Sequence, residues 1–232
     1  MEDKKTWTLA HLPPSNKALG CKWVYKTKYN ADGSIERYKA WLVVLGNHQI
    51  EGEDYNETFT PVACMVTARC ILTIAISKGW TLHQMDVHNA FLHANLEEHI
   101  YMKPPLGFVP PSPNMVCKLN KSLYGLRQAP HQWYFKLATG LQDYGFKQFA
   151  LDHSLFTYSR GQVLLALLVH VNYLVLTGNS SAHCVAFKSY LHNRFKLRDL
   201  GPLKYFLVIE VAWSPKGLFF VSISIPSIFS LK

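Results

Sequence analysis

Two apolar runs in the middle of the chain, Ser154 to Tyr158 and Val163 to Leu176, constrain the fold more than any other feature. Arg160-Gly161-Gln162 separates them, and His170-Val171-Asn172-Tyr173 breaks the longer one near its centre. That run is too short to span a bilayer and carries His170 and Asn172 in its interior. It reads as a buried hairpin, and the whole stretch as three consecutive antiparallel strands.

The rest of the chain alternates similar hairpins with helices. Cys21 to Tyr29 and Ile35 to Leu45 flank Asn30-Ala31-Asp32-Gly33-Ser34, the pattern of a β-hairpin around an Asp-Gly turn. Thr67 to Lys78 places Ala68, Ile71, Ile74 and Ala75 at helical spacing and stops at Gly79. Trp80 to Asp86 and Ile100-Tyr101-Met102 read as strands. Pro130 opens a helix whose apolar face is Trp133, Leu137, Leu141 and Tyr144, ending before Gly145. A further helix over Ser181 to Phe195 carries Cys184, Phe187, Leu191 and Phe195 on one face, and strands are expected over Leu203 to Val211 and Leu218 to Ile225. Hairpins interrupted by packed helices predict an α+β fold with a mostly antiparallel sheet.

Composition sets further bounds. With 49% hydrophobic and 13% aromatic residues the chain can build a core, and its formal charge of +9 makes a polyanion a reasonable partner. The five cysteines are odd in number and form no C-x-x-C pair, which argues against a disulfide framework and a structural zinc site. The eleven histidines offer no ligand-like helical spacing together with cysteines either. Met1-Glu2-Asp3-Lys4-Lys5 is charged and lacks an apolar core, so no secretory signal is expected. An intracellular protein of the cytoplasm or nucleus, with no membrane association, is the expectation.

Five segments bear chemistry together: Lys22-Trp23-Val24-Tyr25-Lys26, Glu57-Thr58-Phe59-Thr60-Pro61-Val62, Gln84 to Leu92, Ser122 to Pro130, and Asp199 to Leu207. In wording, order and approximate spacing they resemble the reverse transcriptase of copia-type retrotransposons, over roughly Trp7 to Phe220. The resemblance implies fingers and palm without a thumb, RNase H or integrase portion. Residues 1–20 are then an N-terminal extension, 21–220 the reverse-transcriptase domain and 221–232 a divergent tail. It also implies an RNA or DNA primer-template and a dNTP as partners, and two Mg2+ ions held by carboxylates.

By the same resemblance Asp86 matches the first metal-binding aspartate, whereas taken alone it reads as a strand-end cap. Phe91 matches the aromatic that crowds the sugar 2′-carbon, or is simply a core ring. Lys39 faces the triphosphate, or is a solvated strand lysine; Gly125, Arg127 and Gln128 border the nascent base pair, or make a loop-to-helix entry. Tyr205 to Glu210 resembles the primer-grip hairpin, or is an ordinary half-buried strand.

Departures from the family pattern point to lost activity. The catalytic Tyr-Val-Asp-Asp hairpin is His170-Val171-Asn172-Tyr173 here, so Asn172 and Tyr173 replace the Asp pair. Each lost charge at about 4 Å forfeits roughly 4 kcal/mol of attraction at an effective dielectric of about 20. Even half of that per charge costs on the order of a thousandfold in rate. Trp41 stands in place of a triphosphate-contacting Arg, Cys64 and His131 replace basic residues, Ala94-Asn95 replaces a Gly-Asp turn, and Val208 fills a glycine position. Two other readings follow: a non-catalytic nucleic-acid-binding module, and residual activity through Asp152 or Glu210 as substitute ligands. The segment from Val221 onward leaves the family pattern, as a frame or splice change would make it do.

Overall fold

The computed structural model describes residues 5–207, 209–214 and 217–222. In chain order they form β1 (Trp7–His11), β2 (Ala18–Leu19), β3 (Cys21–Tyr29), β4 (Ile35–Val44), α1 (Met65–Ser77), β5 (Leu82–Val87), β6 (Tyr101–Met102), β7 (Met115–Leu119) and α2 (Ala129–Tyr144). Then come β8 (Lys147–Gln148), β9 (Leu155–Arg160), β10 (Val163–His170), β11 (Tyr173–Gly178), α3 (Ser181–Phe195), β12 (Leu197–Pro202), β13 (Tyr205–Phe206), β14 (Ile209–Ser214) and β15 (Gly217–Ser222). The chain is mixed α and β and divides into two compact units, Met1–Thr60 with Asn89–Leu137, and Pro61–His88 with Ala138–Lys232.

In the first unit β1, β7, β6 and β2 make a four-stranded sheet, and β3 and β4 a separate two-stranded ribbon. Leu42 and Val44 from the ribbon's base, Ile100 and Met102 around β6, Cys117 and Leu119 from β7, and Leu123 form its apolar core. The ribbon turn is tied by Asp32, whose Oδ1 accepts from Ser34 N and Oγ at 2.9 and 2.6 Å, while Gly33 supplies a φ of +84°. Burial pushes the Cys117 thiol up to about 11, so it behaves as an apolar core residue. Trp7 to His11 pair antiparallel with Leu119 to Met115, and Ala18 and Leu19 pair with Tyr101 and Met102. Backbone groups of an apolar-rich segment find partners most cheaply in a neighbouring ladder.

The second unit holds a six-stranded sheet in the order β12-β5-β11-β10-β9-β8. Every pairing in it is antiparallel. The central strands β10 and β11 are buried almost end to end. Ala68, Leu72 and Ala75 of α1 pack with Leu82, Leu168 and Val175, and Gly79 at φ +66° ends the helix as expected. Ser180 caps α3 by accepting from His183 N, and Cys184, Phe187, Leu191 and Phe195 are its buried stripe. Phe187 sits within 4.6 Å of Phe146 and 4.9 Å of Tyr144, centroid to centroid, in an aromatic cluster completed by Tyr158 and Tyr190.

Two expectations change here. The single strand over Leu203 to Val211 is split into β13 and β14, with Leu207 between them at φ +57°. The segment Leu197 to Pro202 was not expected as a strand, yet it forms the edge strand β12 beside β5. Val208, and the tail from residue 223 onward, lie outside the described residues. Among the described residues no helix is long and apolar enough to cross a membrane.

Candidate active site

The hairpin between β10 and β11 is closed by Val171 and Asn172 alone, because His170 pairs with Tyr173. Of these two central residues only Val171 has a positive φ, at 57°, the pattern of a turn that favours glycine at that position. A β-branched residue held there costs on the order of 1–3 kcal/mol. Val171→Gly is therefore expected to stabilise the chain by about 1 kcal/mol after the extra backbone entropy of glycine, raising the melting temperature by about 2–4 °C. A lower urea midpoint for that variant would show that the valine is unstrained.

The tip is fastened to the end of β5 twice. Val87 N donates to the Asn172 carbonyl at 2.9 Å, and Asn172 Nδ2 donates to Asp86 Oδ1 at 2.6 Å. The second bond is short because its acceptor is a carboxylate and the pair is partly buried. Register then sets the surroundings of Asp86: Tyr173 stands directly opposite on β11, and Arg198 directly opposite on β12. Residues opposite one another in antiparallel strands share a face, so Tyr173 and Arg198 flank Asp86 on one face of the sheet. His170 packs edge-on against Phe206 at 6.2 Å, and burial holds its imidazole below the ordinary value, so it is neutral at pH 7.

Two magnesium ions need several acidic oxygens on hand. Here Asp86 already accepts an amide proton, Arg198 adds positive charge, and Asn172 and Tyr173 add none. Among the described residues no group of three or more His, Cys, Asp or Glu could hold a metal ion. Of residues 86, 172 and 173, Asp86 alone is a carboxylate. Asp152 is turned to other work: its Oδ1 accepts from Ser154 N and Oγ at 2.9 and 2.6 Å. Burial pushes its carboxyl up, but the bonds from Ser154, with the Thr67 hydroxyl and Cys64 backbone nearby, outweigh this and leave it below the usual carboxylate range.

The first unit holds the remaining candidates. Lys39, half-buried on β4, lies with Nζ 5.7 Å from the centroid of Trp41. Phe91, in the short 3-10 turn Ala90–His93, meets Tyr124 edge-on at 4.8 Å. Gly125 has φ +93°, and a Cβ there would stand 2.0 Å from the Val44 carbonyl oxygen, so only glycine fits. Arg127 is exposed, with Nε donating to the Gly46 carbonyl at 3.1 Å and its guanidinium 5.8 Å from the Tyr55 ring. Gln128 is fully buried; its Oε1 accepts from Gln49 Nε2 at 3.1 Å and its Nε2 donates to the Asp54 carbonyl at 3.0 Å. Both ends of that amide thus hold the loop 46–54 against the start of α2. His131 does similar service, donating from Nδ1 to the Phe59 carbonyl at 2.7 Å.

Sequence reasoning missed Arg198 and Gln49. Neither carries a local signal: Arg198 meets Asp86 through a pairing over a hundred residues apart in sequence, and Gln49 meets Gln128 across 79.

Comparison with known proteins agrees with the layout. The profile of the family described as reverse transcriptase (RNA-dependent DNA polymerase) matches residues 4–223. The chain is 43% identical over 215 residues to the Retrovirus-related Pol polyprotein from transposon RE1 of Arabidopsis thaliana, covering 92% of this chain and 15% of that protein. It is 41% identical to the RE2 polyprotein of the same plant, with the same coverage. To the TNT 1-94 polyprotein of Nicotiana tabacum it is 39% identical over 214 residues, 91% of this chain and 16% of that protein. The chain therefore spans only about a sixth of the length of these relatives. On the profile match and these identities, which align the chain with part of retrotransposon Pol polyproteins, the chain belongs to the reverse transcriptase family.

Proposed function

We propose that this chain is the fingers and palm of a copia-type reverse transcriptase that no longer polymerises. The first unit corresponds to the fingers and the second to the palm. The hydrogen bond from Asn172 Nδ2 to Asp86 Oδ1 carries the reading. An aspartate at 172 would repel Asp86 in the absence of a cation, whereas the asparagine satisfies it without one. In this reading Asp86 keeps a ligand position whose companions are gone, and Mg2+ binding is impaired. Lys39, Phe91, Gly125, Arg127 and Gln128 keep the places that in the family border triphosphate, sugar and template. Gly125 and Gln128 serve there by shaping backbone, and Lys39 and Arg127 by charge.

The alternative of a binding module without catalysis draws on the charge of +9 and on Lys22, Lys26, Lys28, Arg37 and Lys39 of one ribbon. The two readings share a test. The unaltered chain, given a primer-template, dNTPs and Mg2+, is expected to extend no primer while binding the hybrid with an affinity that falls steeply with salt. Template-directed extension abolished by Asp86→Asn would defeat the loss of catalysis, and weak binding indifferent to salt would defeat the retained binding.

A further inference from the structure

One face of the β3–β4 ribbon is free of charge from end to end, and only its base is covered. Register puts Cys21 opposite Val44, Trp23 opposite Leu42, Tyr25 opposite Ala40, Thr27 opposite Tyr38 and, past the register shift, Tyr29 opposite Ile35. Paired residues of antiparallel strands share a face, and none of these is charged. At the base, Leu42 and Val44 are buried in the core of the first unit, with Cys21 and Trp23 packed against it. Beyond Trp23 the cover stops: Tyr25, Tyr29, Tyr38 and Ile35 are 73, 62, 76 and 50% exposed. Lys22, Lys26, Lys28, Arg37 and Lys39 all fall on the opposite face by the same register.

A ribbon two strands wide is marginal in water unless something packs on its apolar face. Area and charge together choose the occupant. An aromatic side chain can bury about 150–250 Å2, so three phenols and an isoleucine at these exposures offer on the order of 500 Å2. Two copies laid face to face therefore bury about 1,000 Å2 in all, which reaches the lower bound for a specific protein interface. The same patch on a second copy brings no charge to desolvate. Sheets packed face to face lie about 10 Å apart, and both rows of cations then point outward into water. A polyanion, by contrast, is drawn to the opposite face, where those cations stand.

We infer that the tyrosine face of this ribbon is a self-association surface, closing a twofold dimer of the chain with Tyr25, Tyr29 and Tyr38 of each copy packed between the two ribbons. Such a contact uses one patch on both partners, so it stops at two copies. An area at the low end of the specific range makes it a weak dimer that forms with concentration. The chain's formal charge of +9 opposes association, so added salt strengthens the dimer by screening that repulsion. No residue of the β10–β11 hairpin takes part, and the inference stands whether or not the chain polymerises.

The test is sedimentation of the full chain, free of nucleic acid, over a range of concentrations and at low and high salt. Tyr25→Ala with Tyr38→Ala is expected to weaken the dimer on the order of a hundredfold or more. Tyr25→Phe with Tyr38→Phe keeps the buried area and should associate as the parent does. Lys26→Gln with Lys28→Gln, on the other face, should associate at least as tightly as the parent. The exposed positions predict parental melting for all three pairs in dilute solution. Nitration of the unaltered chain gives a reading without any substitution: Tyr25, Tyr29 and Tyr38 should become protected as concentration rises, while Tyr205, 53% exposed, should not. A parent still monomeric at about 1 mM overturns the inference. So does a dimer that persists in the alanine pair, a phenylalanine pair as weak as the alanine pair, or a dimer that salt dissolves. Protection of the three tyrosines by added oligothymidylate, and not by a higher concentration of the chain, would assign the face to nucleic acid and overturn it as well.

Discussion

Primer extension should appear when four residues are restored together: His170→Tyr, Asn172→Asp, Tyr173→Asp and Trp41→Arg. The expected gain over the unaltered chain is at least about a thousandfold in the rate of magnesium-dependent product formation. The magnitude follows from charge. Two carboxylates return beside Asp86, the Asn172 amide that now occupies Asp86 Oδ1 at 2.6 Å is removed, and a guanidinium replaces an indole. The backbone needs no rebuilding, since β10 and β11 are already in register with β5 and the tip already turns in two residues. Restoring Tyr173→Asp without Asn172→Asp should recover much less, because the amide would still hold Asp86. Extension gels with and without Mg2+ read the outcome; a restored chain as silent as its parent would place the deficit outside these four positions.

Asn172→Asp alone should destabilise the metal-free protein by on the order of 3 kcal/mol at neutral pH. The variant loses a charge-assisted hydrogen bond worth about 1.5–3 kcal/mol and sets two carboxylates in contact in its place. The pH dependence has a definite sign. Mutual repulsion raises the folded-state pKa of one member of the pair above its unfolded value. Stability is then parental below about pH 4, where the unfolded carboxyl is protonated, and is lost as pH rises through the raised value. Millimolar Mg2+ should return part of the loss by binding only the folded variant, and leave the melting temperature of the parent where it was. Melting curves in EDTA and in Mg2+ across this pH range decide it; a variant as stable as the parent in EDTA at pH 7 would mean that the Asn172–Asp86 bond contributes nothing.

Local patterns were legible and distant pairings were not. Helix α3 falls where expected because a capping serine, four apolar residues at helical steps and a left-handed Lys196 all lie within one stretch. The ribbon was equally clear, since Asp32 and Gly33 fix the turn through neighbours one or two residues away. Trp7 to His11 gave no such sign, because their partners are more than a hundred residues away on β7. The split near Leu207 was hidden too: a leucine at positive φ is set by its surroundings and not by its own preference. At the candidate site, the residue types at 86, 172 and 173 could be read from sequence, and their loss of charge with them. That the amide at 172 turns inward to satisfy Asp86, and that Arg198 stands across from it, depends on register.

The strand Val163 to His170 contains Leu164-Leu165-Ala166-Leu167-Leu168-Val169, a run without charge or proline of the kind that stacks into fibrils when bared. It sits inside the six-stranded sheet, whose two rims are both poor templates. One rim, β12, carries Arg198 and Asp199 and a register break before Gly201, and the other, β8, is just two residues long. The run is thus kept from forming intermolecular ladders, provided β9 stays zipped to β10. The hazard to watch for in handling it is partial opening at that seam and not sticking at the sheet's ends.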